Sequence, residues 1–357
     1  MQQSEIQPLE GLTVLDFTTL LPGPLATLML AEAGARVIKL ERPGGEDMRS
    51  FPPFVKGKPV LFEQLNRGKE CLELDLKDEA ARGRVLELLQ TADILVEQFR
   101  PGVMDRLGLG YDTLSARFPG LIYCSITGFG QEGPRASSAG HDLNYMALSG
   151  LLAQSCGSAK HPVLPPAQIA DIGGGSFPAL TNILLAILKR TKTGKGCHID
   201  ISMTDSMFTF GIFAHAFHAA GKPVPDWGQG LLCGGSPRYR LYPAGDGRLI
   251  AVAALEEKFW QGLCDLLEIE PGLRNDRADP EASAAAIARA LAAKPSSDWK
   301  DLLSAADCCA CVVATMEEAR QDPAIAARDL FSHQLDVGGE AIEALPLPLA
   351  SHFRKQP

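Results

Sequence analysis

The sequence predicts an α/β fold built on a parallel sheet, and the first forty residues carry the main observation. Residues 11–17 are typical of a short buried strand, residues 25–33 have the pattern of a helix, and residues 35–40 are typical of a second strand. A β-α-β unit of this kind implies parallel strands joined by a right-handed crossover. The chain has 357 residues, 46% of them hydrophobic and 22% charged, which is enough to bury a large core in one or two domains.

Strand and helix patterns continue to alternate through the first two hundred residues. Helices are predicted at residues 80–90 and 177–189, and the second is apolar enough for a buried position. The further predicted strands are residues 71–76, 93–99, 121–127 and 197–202. This alternation is typical of a sheet covered by helices.

A region of different pattern follows a linker. Residues 205–220 are predicted as one long apolar helix, and residues 221–235 are rich in glycine and proline and mark a domain boundary. Beyond the linker, residues 238–242 and 248–253 have strand patterns and residues 256–267 have a helix pattern. A charged, alanine-rich helical stretch comes next.

Neither the histidines nor the cysteines form a metal-binding pattern. His215 and His218 are three residues apart on one predicted helix face, but no third ligand is evident nearby, so we interpret them as structural. Cys308, Cys309 and Cys311 lack a second ligand pair at zinc-finger spacing. No metal site is predicted, and the nine scattered cysteines are interpreted as reduced thiols of a cytoplasmic protein.

Charge and hydropathy disfavour other classes of protein. The net charge of −9, with both signs interspersed, disfavours nucleic acid as a partner. Residues 1–5 have no basic region before an apolar one, so a signal peptide is not predicted. No apolar run reaches the roughly 20 residues that span a bilayer, so we expect no membrane segment.

His141 and Asp171 are candidate acid/base residues. They lie 30 positions apart, each within two residues of a glycine, which lets a ligand approach the main chain closely. Asp171 also precedes three glycines and the predicted helix at 177–189, so it would lie near a helix N-terminus, which favours negative charge. Facing one cavity, the two could place a base on each side of a substrate carbon. On spacing alone, an N-cap aspartate and a hydrogen-bonded loop histidine are the commoner explanation.

Basic residues recur at or just beyond the C-terminal ends of predicted strands. They are Arg42, Lys77, Arg100 and Arg106. Ligands of open α/β sheets bind at that edge, and the planar guanidinium of arginine donates paired hydrogen bonds to phosphate. The alternative is that each is a solvated surface charge, the usual situation of arginine and lysine.

A dinucleotide-binding site is a competing interpretation that the sequence disfavours. The turn after the first predicted strand, residues 18–23, lacks the Gly-x-Gly-x-x-Gly pattern that a pyrophosphate requires. Residues 128–133 match that pattern after a predicted strand. However, Pro134 and a loop of serine, alanine and glycine follow them in place of a helix.

Two motifs resemble a known family. Residues 140–150 (Gly-His-Asp-Leu-Asn-Tyr-Met-Ala-Leu-Ser-Gly) and residues 170–175 (Ala-Asp-Ile-Gly-Gly-Gly) are similar to two signatures of the class III CoA-transferase (CaiB/BaiF-type) family, at the matching distance. The alpha-methylacyl-CoA racemase branch of that family carries histidine in the first motif and aspartate in the second. The transferase branch keeps the aspartate and usually lacks the histidine. The resemblance extends from residue 11 to about residue 353.

The resemblance implies a reaction, which is inversion at the α carbon of a 2-methylacyl-CoA thioester through an enolate. His141 and Asp171 become the two bases, on opposite faces of that carbon. Glu256 matches a family glutamate that approaches the catalytic histidine, although it could equally be a carboxylate that favours a helix N-terminus. Backbone N–H groups near Asp142 and along glycines 173–175 are the expected oxyanion donors.

Coenzyme A contacts are implied as well. Arg42, Arg100 and Arg106, and with them Lys77, match family segments around the adenosine and phosphate end of coenzyme A. No metal or redox cofactor is expected beyond the coenzyme A that the substrate carries. The alternatives are a CoA-transferase, in which Asp171 attacks the thioester and becomes an acyl anhydride, and a catalytically silent acyl-CoA binder.

The resemblance also implies an architecture. The expected domains are a large, Rossmann-like, CoA-binding domain over residues 1–205, a linker helix and loop over 206–235, a small α+β domain over 236–325, and a return to the large domain over 326–357. Members of the family form homodimers whose chains thread through each other like interlocked rings. A homodimer is therefore expected.

Overall fold

The structure is a computed structural model that describes residues 6–155, 157 and 161–354. Residues 1–5, on which the prediction about a signal peptide depends, lie outside the described residues. The strands are β1 (Thr13–Phe17), β2 (Arg36–Glu41), β3 (Phe54–Val55), β4 (Lys58–Pro59), β5 (Glu70–Glu73), β6 (Ile94–Glu97), β7 (Ile122–Thr127), β8 (Cys197–Ser202), β9 (Tyr239–Pro243), β10 (Leu249–Ala253), β11 (Ala310–Val312), β12 (Gln334–Val337) and β13 (Glu340–Glu343). The helices are α1 (Pro22–Glu32), α2 (Val60–Asn66), α3 (Glu79–Leu88), α4 (Val103–Arg106), α5 (Tyr111–Arg117), α6 (Asp142–Leu148), α7 (Leu152–Ser155), α8 (Ile169–Asp171), α9 (Phe177–Thr193), α10 (Met203–Phe210), α11 (Ile212–Ala219), α12 (Glu257–Leu266), α13 (Pro280–Ala292), α14 (Ser296–Ala306), α15 (Met316–Gln321) and α16 (Pro323–Ala326).

Six strands form one parallel sheet in the order β5-β2-β1-β6-β7-β8. In β1, Val14 pairs with Val37 of β2 on one side and with Ile94 of β6 on the other. The strand order reverses between β1 and β6, and ligands of such sheets bind at the carboxyl ends of the strands near that reversal. The predicted α/β fold with a parallel, Rossmann-like sheet is confirmed.

Apolar runs explain why these strands lie in the core. Every residue of β7 is buried, and so is every residue of α1. Strands that are covered on both faces have nearly continuous hydrophobic sequences, as β7 does. The helix α1 begins shortly after β1, with Pro22 in its first turn, where proline is well tolerated. The turn between β1 and α1 is therefore anchored by a buried element on each side.

Two regions differ from the sequence prediction. Residues 205–220, predicted as one helix, are two helices, α10 and α11, separated at Gly211, whose ψ of 21° leaves the helical range. Glycine is a poor helix former, so the break falls where the helix is weakest. The hairpin of β12 and β13 was not predicted, although its turn contains Gly338 and Gly339, both with positive φ. A glycine pair of this kind is a recognised hairpin signal.

Contacts between residues divide the chain into two compact units. The first comprises residues 1–149, 166–210 and 329–357, and the second comprises residues 150–165 and 211–328. In the second unit, the antiparallel sheet β11-β10-β9 and the helices α12, α13 and α14 enclose a core that contains Trp260 and Trp299. The predicted domain boundaries at residues 205, 235 and 325 stay a prediction.

One helical run has the length and hydropathy of a membrane span. Ile169–Thr193 is 25 residues long, and its most apolar window has a mean hydropathy of 1.3. Core helices of soluble proteins meet the same criterion, so a single helix of this kind is weak evidence for a membrane segment. Ala179, Ile183 and Ala186 of this run are buried in the protein core. Both the absence of a membrane segment and the cytoplasmic location stay predictions.

Candidate active site

A cavity of about 440 Å³ lies at the carboxyl ends of β1, β6 and β7, next to the point where the strand order reverses. His141 and Asp171 both line it, and we call it the His–Asp cavity. Other lining residues come from the segments that follow the strands and from α6; among them are Thr19, Leu20, Pro22, Phe99, Arg100 and Tyr145. The structure thus brings together the two residues singled out in the sequence.

His141 is held through its backbone at the start of α6. Its N–H donates to Oδ1 of Asn144 at 3.1 Å, and its carbonyl oxygen accepts the N–H of Asn144 at 2.8 Å. This reciprocal pair resembles a capping box, which fixes the direction in which the chain enters a helix. The imidazole is exposed and lines the cavity.

Tyr145 braces the loop that carries His141. Its hydroxyl donates to the carbonyl oxygen of Gly140, and its ring packs edge-on against Phe129. A Cβ atom at Gly128 or Gly140 would lie 2.4 or 2.6 Å from this ring, so both positions require glycine. Part of the glycine pattern at residues 128–133 is therefore explained by the packing of Tyr145.

Asp171 is the last residue of α8, and a π-helical segment, Ile172–Ser176, connects α8 to α9. From the sequence we predicted that Asp171 precedes a helix. In the structure it lies within the first turn of the continuous helical segment Ile169–Thr193. Segments of π-helix are rare and occur frequently at functional sites. Its side chain is partly buried and lines the His–Asp cavity.

The three glycines of this π-helical segment allow close packing. A Cβ atom at any of residues 173–175 would lie within 2.9 Å of a neighbour, namely the ring of Phe210, the carbonyl oxygen of Met203 or the side chain of Pro22. None of the three glycines is among the residues that line the His–Asp cavity. Their role as oxyanion N–H donors stays a prediction.

Asp142 connects the two motifs. Its Oδ1 atom accepts the N–H of Ala170 at 2.6 Å and the N–H of Asp171 at 3.0 Å. Hydrogen bonds to a carboxylate are stronger than those between neutral groups, so α6 and α8 are firmly joined. The sequence predicted only a backbone role near Asp142, because a contact across 28 residues leaves no local signal.

The surroundings of Asp171 change its acidity. Burial, and after it the nearby Asp142 carboxylate, raises the pKa of the Asp171 carboxyl to about 6, although His141 lowers it. A carboxyl group with this pKa is present in both protonation states near neutral pH. That property suits a residue that must accept a proton in one step and donate it in another.

A second cavity, of about 410 Å³, lies at the carboxyl ends of β1, β2 and β5. Arg42 and Lys77 line it, and we call it the Arg–Lys cavity. The Arg42 guanidinium forms an ion pair with Asp47, and its Nε donates to the carbonyl oxygen of Gly45 at 3.0 Å. Apolar side chains form much of the remaining wall: Phe17, Leu40, Leu74, Leu76, Val103 and Leu107.

The four predicted basic residues do not form one group. Arg100 lines the His–Asp cavity instead of the Arg–Lys cavity, and Arg106, at the end of α4, lines neither. Thr19 and Phe99 line both cavities, which are therefore neighbours along one edge of the sheet.

Glu256 belongs to the second unit, immediately before α12, and its side chain is exposed. Its carbonyl oxygen accepts the N–H groups of Phe259 and Trp260 at the start of that helix. This is the helix-start position that the sequence also allowed. A contact between Glu256 and His141 stays a prediction.

Potential metal ligands are dispersed in the part of the chain that the structure describes. There, no group of three or more His, Cys, Asp or Glu side chains is placed to hold a metal ion. Cys308 is buried, whereas Cys309 and Cys311 are exposed, and all three are free thiols.

Comparison with known proteins identifies relatives of two kinds. The sequence matches the family model of CoA-transferase family III over residues 9–356. It is 35% identical to acetyl-CoA:oxalate CoA-transferase of Acetobacter aceti, over 97% of this chain and 90% of that protein. It is 34% identical to alpha-methylacyl-CoA racemase of Homo sapiens, over 87% of this chain and 78% of that protein. Sequence identity alone does not separate the two activities.

Solved structures share the fold. A crystal structure of a Mycobacterium tuberculosis protein aligns with a TM-score of 0.81 at 31% identity, over 98% of this chain and 94% of that one. A CaiB/BaiF family protein from Brucella suis aligns with a TM-score of 0.79 at 30% identity, over 96% and 92% of the two chains. Sequence and fold agree over nearly the full length, and the chain belongs to CoA-transferase family III.

Proposed function

We propose that the protein is a racemase or epimerase that inverts the α carbon of 2-methylacyl-CoA thioesters. The observation that carries this proposal is that His141 and Asp171 line one cavity beside the reversal of the sheet. Inversion requires a proton acceptor on one face of the carbon and a proton donor on the other. A transferase that proceeds through an acyl anhydride needs only the carboxylate.

The substrate would extend across both cavities. The apolar wall of the Arg–Lys cavity suits an adenine ring, and Arg42 and Lys77 suit the phosphates of coenzyme A. The pantetheine arm would pass Thr19 and Phe99, which line both cavities, and bring the thioester to the His–Asp cavity. No cofactor beyond the coenzyme A of the substrate is proposed, because side chains can carry both protons.

Inversion consists of two proton transfers. In one direction, neutral His141 removes the α proton, the carbonyl oxygen becomes an enolate oxygen, and protonated Asp171 returns a proton to the opposite face. The reverse direction starts from imidazolium and carboxylate, so the proton removed from the substrate stays on the enzyme while another is delivered. The raised pKa of Asp171 supports this cycle, because it keeps the carboxylic acid populated near neutral pH.

The enolate oxygen requires hydrogen-bond donors, since an α carbon of this kind is a weak acid. The first N–H groups of a helix have no partner within the helix. The N–H of Asp142, at the start of α6 and next to His141, is the proposed donor.

We also propose a homodimer in which Glu256 of one chain approaches the His–Asp cavity of the other. Membership of the family and the exposed position of Glu256 support this arrangement. Sedimentation analysis of the active enzyme is expected to show a dimer. A folded and active monomer would contradict the proposal.

A CoA-transferase is the second candidate, and the similarity to acetyl-CoA:oxalate CoA-transferase favours it. In that reaction, Asp171 would attack the thioester carbonyl, release the CoA thiolate and form a mixed anhydride. An acceptor carboxylate would then attack the Asp171 carbonyl of this anhydride and release the first acyl group as a free carboxylate. The CoA thiolate would attack the acceptor carbonyl of the new anhydride, which forms the product thioester and frees the Asp171 carboxylate. His141 has no required role in this sequence of steps.

Incubation of a 2-methylacyl-CoA with the enzyme in heavy water separates the candidates. Uptake of deuterium at the α carbon together with inversion, in the absence of any acceptor, is the result expected for a racemase. Movement of CoA to an added carboxylate, without α exchange, would identify a transferase. A protein that binds the thioester and does neither is an acyl-CoA binder.

A further inference from the structure

The turn between β1 and α1 has an unusual backbone. Leu20 has a φ of +62°, in the left-handed region, which is strained for a residue other than glycine. Thr19 and Leu20 line the His–Asp cavity, and Thr19 also lines the Arg–Lys cavity. The strained turn therefore lies where the arm of the proposed substrate would pass between the two cavities.

Buried charges hold the backbone of this turn. Oε2 of Glu46 accepts the N–H of Leu20 at 2.6 Å, and Nζ of Lys39 donates to the carbonyl oxygen of Thr18 at 2.7 Å. Lys39 and Glu46 also form an ion pair at 3.0 Å, with side chains that are 0% and 2% exposed. Lys39 therefore holds the peptide group before Thr19, and Glu46 holds the peptide group after it.

A second buried ion pair supports the same turn. Asp16 accepts the N–H of Thr18 at 2.9 Å and contacts Nζ of Lys69 at 3.1 Å. The side chains of Asp16 and Lys69 are both 0% exposed. Two positive and two negative side chains are therefore enclosed at this turn, and their formal charges cancel.

Buried ion pairs are not in general required for stability. Removing charges from water is unfavourable, and apolar residues of similar size often replace a buried ion pair without loss of stability. The left-handed conformation of Leu20 is also unfavourable. Backbone strain persists only where the surrounding structure enforces it, and it concentrates at functional sites.

We propose that Lys39 and Glu46 are positioning residues that hold residues 18–20 in the conformation that faces the acyl-CoA thioester. They act through the peptide groups of Thr18 and Leu20. Glu46 also lines the Arg–Lys cavity, but its side chain is only 2% exposed and its carboxylate is taken up by Leu20 and Lys39. The inference rests on the proposed function for the class of substrate, but it holds for inversion and for transfer alike. If the pair is removed, Leu20 can relax, and the wall of the His–Asp cavity changes shape.

The double variant Lys39→Met/Glu46→Leu removes both charges, so that neither is left buried without its partner. The control is Glu32→Leu/Arg67→Met, which removes a pair at 2.7 Å with side chains 7% and 5% exposed that lines neither cavity. Glu32 also pairs with Arg354, whose side chain is 18% exposed and can turn to solvent. Both variants are expected to fold with similar thermal midpoints. Only the first should lose kcat/KM for a CoA thioester, by about 10- to 100-fold, as expected when reacting groups are misplaced.

Two readouts distinguish positioning from general damage. Free CoA should bind the Lys39→Met/Glu46→Leu variant with nearly the wild-type Kd in calorimetry, because Glu46 is only 2% exposed in the Arg–Lys cavity and the altered turn faces the thioester end of the substrate. Glu46→Gln keeps an oxygen that can accept the N–H of Leu20, so it should lose less kcat than Glu46→Leu. Equal losses in those two single variants would contradict an action through the peptide group of Leu20.

The inference is overturned if the folded Lys39→Met/Glu46→Leu variant keeps the wild-type kcat/KM. It is also overturned if the Glu32→Leu/Arg67→Met control loses as much kcat/KM as that variant. If that double variant does not fold, Glu46→Leu is compared with Glu32→Leu, and equal kcat/KM in both overturns the inference. A wild-type protein that is inert in both the exchange and the transfer assays overturns the proposed function instead. In that case binding decides the inference. The Lys39→Met/Glu46→Leu variant should lose affinity for a CoA thioester and keep its affinity for free CoA, and unchanged affinity for both would overturn it.

Discussion

The two cavities at the sheet edge differ in what they offer a ligand. The wall of the Arg–Lys cavity is largely apolar, and its arginine is already ion-paired with Asp47. The His–Asp cavity contains an exposed imidazole and a partly buried carboxyl, carried by segments that Asp142 joins. The first arrangement suits binding, and the second suits chemistry on a bound molecule. Substitutions of basic residues that bind the substrate should act on affinity, and substitutions of His141 and Asp171 should act on turnover.

The cavities also differ in the strain around them. The left-handed backbone of Leu20, the π-helical segment after Asp171 and the raised pKa of Asp171 all belong to the His–Asp cavity or border it. Local features that oppose stability are expected at functional sites, where they are compensated elsewhere in the fold. The difference supports the proposal that the His–Asp cavity is the reacting end of the site.

The largest expected effect comes from removing one of the two bases. In heavy water, His141→Ala should lose deuterium exchange with one epimer of a 2-methylacyl-CoA and keep exchange with the other, because Asp171 still serves its own face. Asp171→Ala should show the opposite selectivity. Inversion needs both residues and should fall by about 10²–10⁴-fold in each variant.

The same pair of variants tests the transferase alternative. There, Asp171→Ala abolishes all activity and His141→Ala changes little. Equal loss of exchange with both epimers in each variant would contradict independent bases on opposite faces. Circular dichroism of each variant is the control for an intact fold.

A smaller effect is expected from the arginines, and it should appear in KM. Arg100→Ala removes a charge-assisted hydrogen bond of about 1.5–3 kcal/mol, which raises KM about 10- to 150-fold. Arg42→Ala should raise KM less, because the Arg42 guanidinium is shared with Asp47. Arg106→Ala is the matched control, since Arg106 lines neither cavity.

Calorimetry with a CoA thioester measures these affinities directly. If Arg100→Ala lowers kcat and leaves affinity unchanged, Arg100 belongs to the chemistry of the His–Asp cavity. If Arg106→Ala weakens binding as much as Arg42→Ala, the division between the cavities is wrong.

The sequence predicted the sheet well because its signal is local. Alternation of buried isoleucines with exposed polar residues indicates a strand directly, as at β8, which was predicted at its observed bounds. The strand order could not be derived in this way, since it depends on contacts between distant segments. The break at Gly211 was missed because the apolar pattern continues on both sides of it.

The candidate site was predicted in part, for the same reason. His141 and Asp171 lie in recognisable motifs, and glycine marks both. The role of Asp142 was missed because its side chain bonds to a segment 28 residues away. The ion pair of Lys39 and Glu46 was also missed, since a charged residue in a sequence gives no sign that it is buried.

Packing at the π-helical segment gives a prediction about stability. A Cβ atom at Gly174 would lie 2.8 Å from the carbonyl oxygen of Met203, so Gly174→Ala should destabilise the fold by about 1–3 kcal/mol through overpacking. Gly83→Ala is the control, because a Cβ atom at that helical glycine meets nothing within 4 Å. It should stabilise the protein by about 0.5–1 kcal/mol. Thermal unfolding measures both, and equal midpoints for the two variants would contradict the packing role.

The smallest expected effect is the contribution of Asp171 to stability, and it should depend on pH. The pKa of this carboxyl is about 6 in the folded protein, above its ordinary value of 3.8. Between these values the folded state holds more protons than the unfolded state, so folding stability falls as pH rises. Asp171→Asn stays neutral, so it should unfold about 2 °C or more above the wild type at pH 8, and the gain should vanish below pH 4.

Asp47→Asn, at an exposed carboxyl of the Arg–Lys cavity, should shift the midpoint little at either pH. If Asp171→Asn is no more stable than the wild type at pH 8, ionisation of Asp171 does not lower the stability of the folded protein. The difference between the two cavities would then depend only on their geometry.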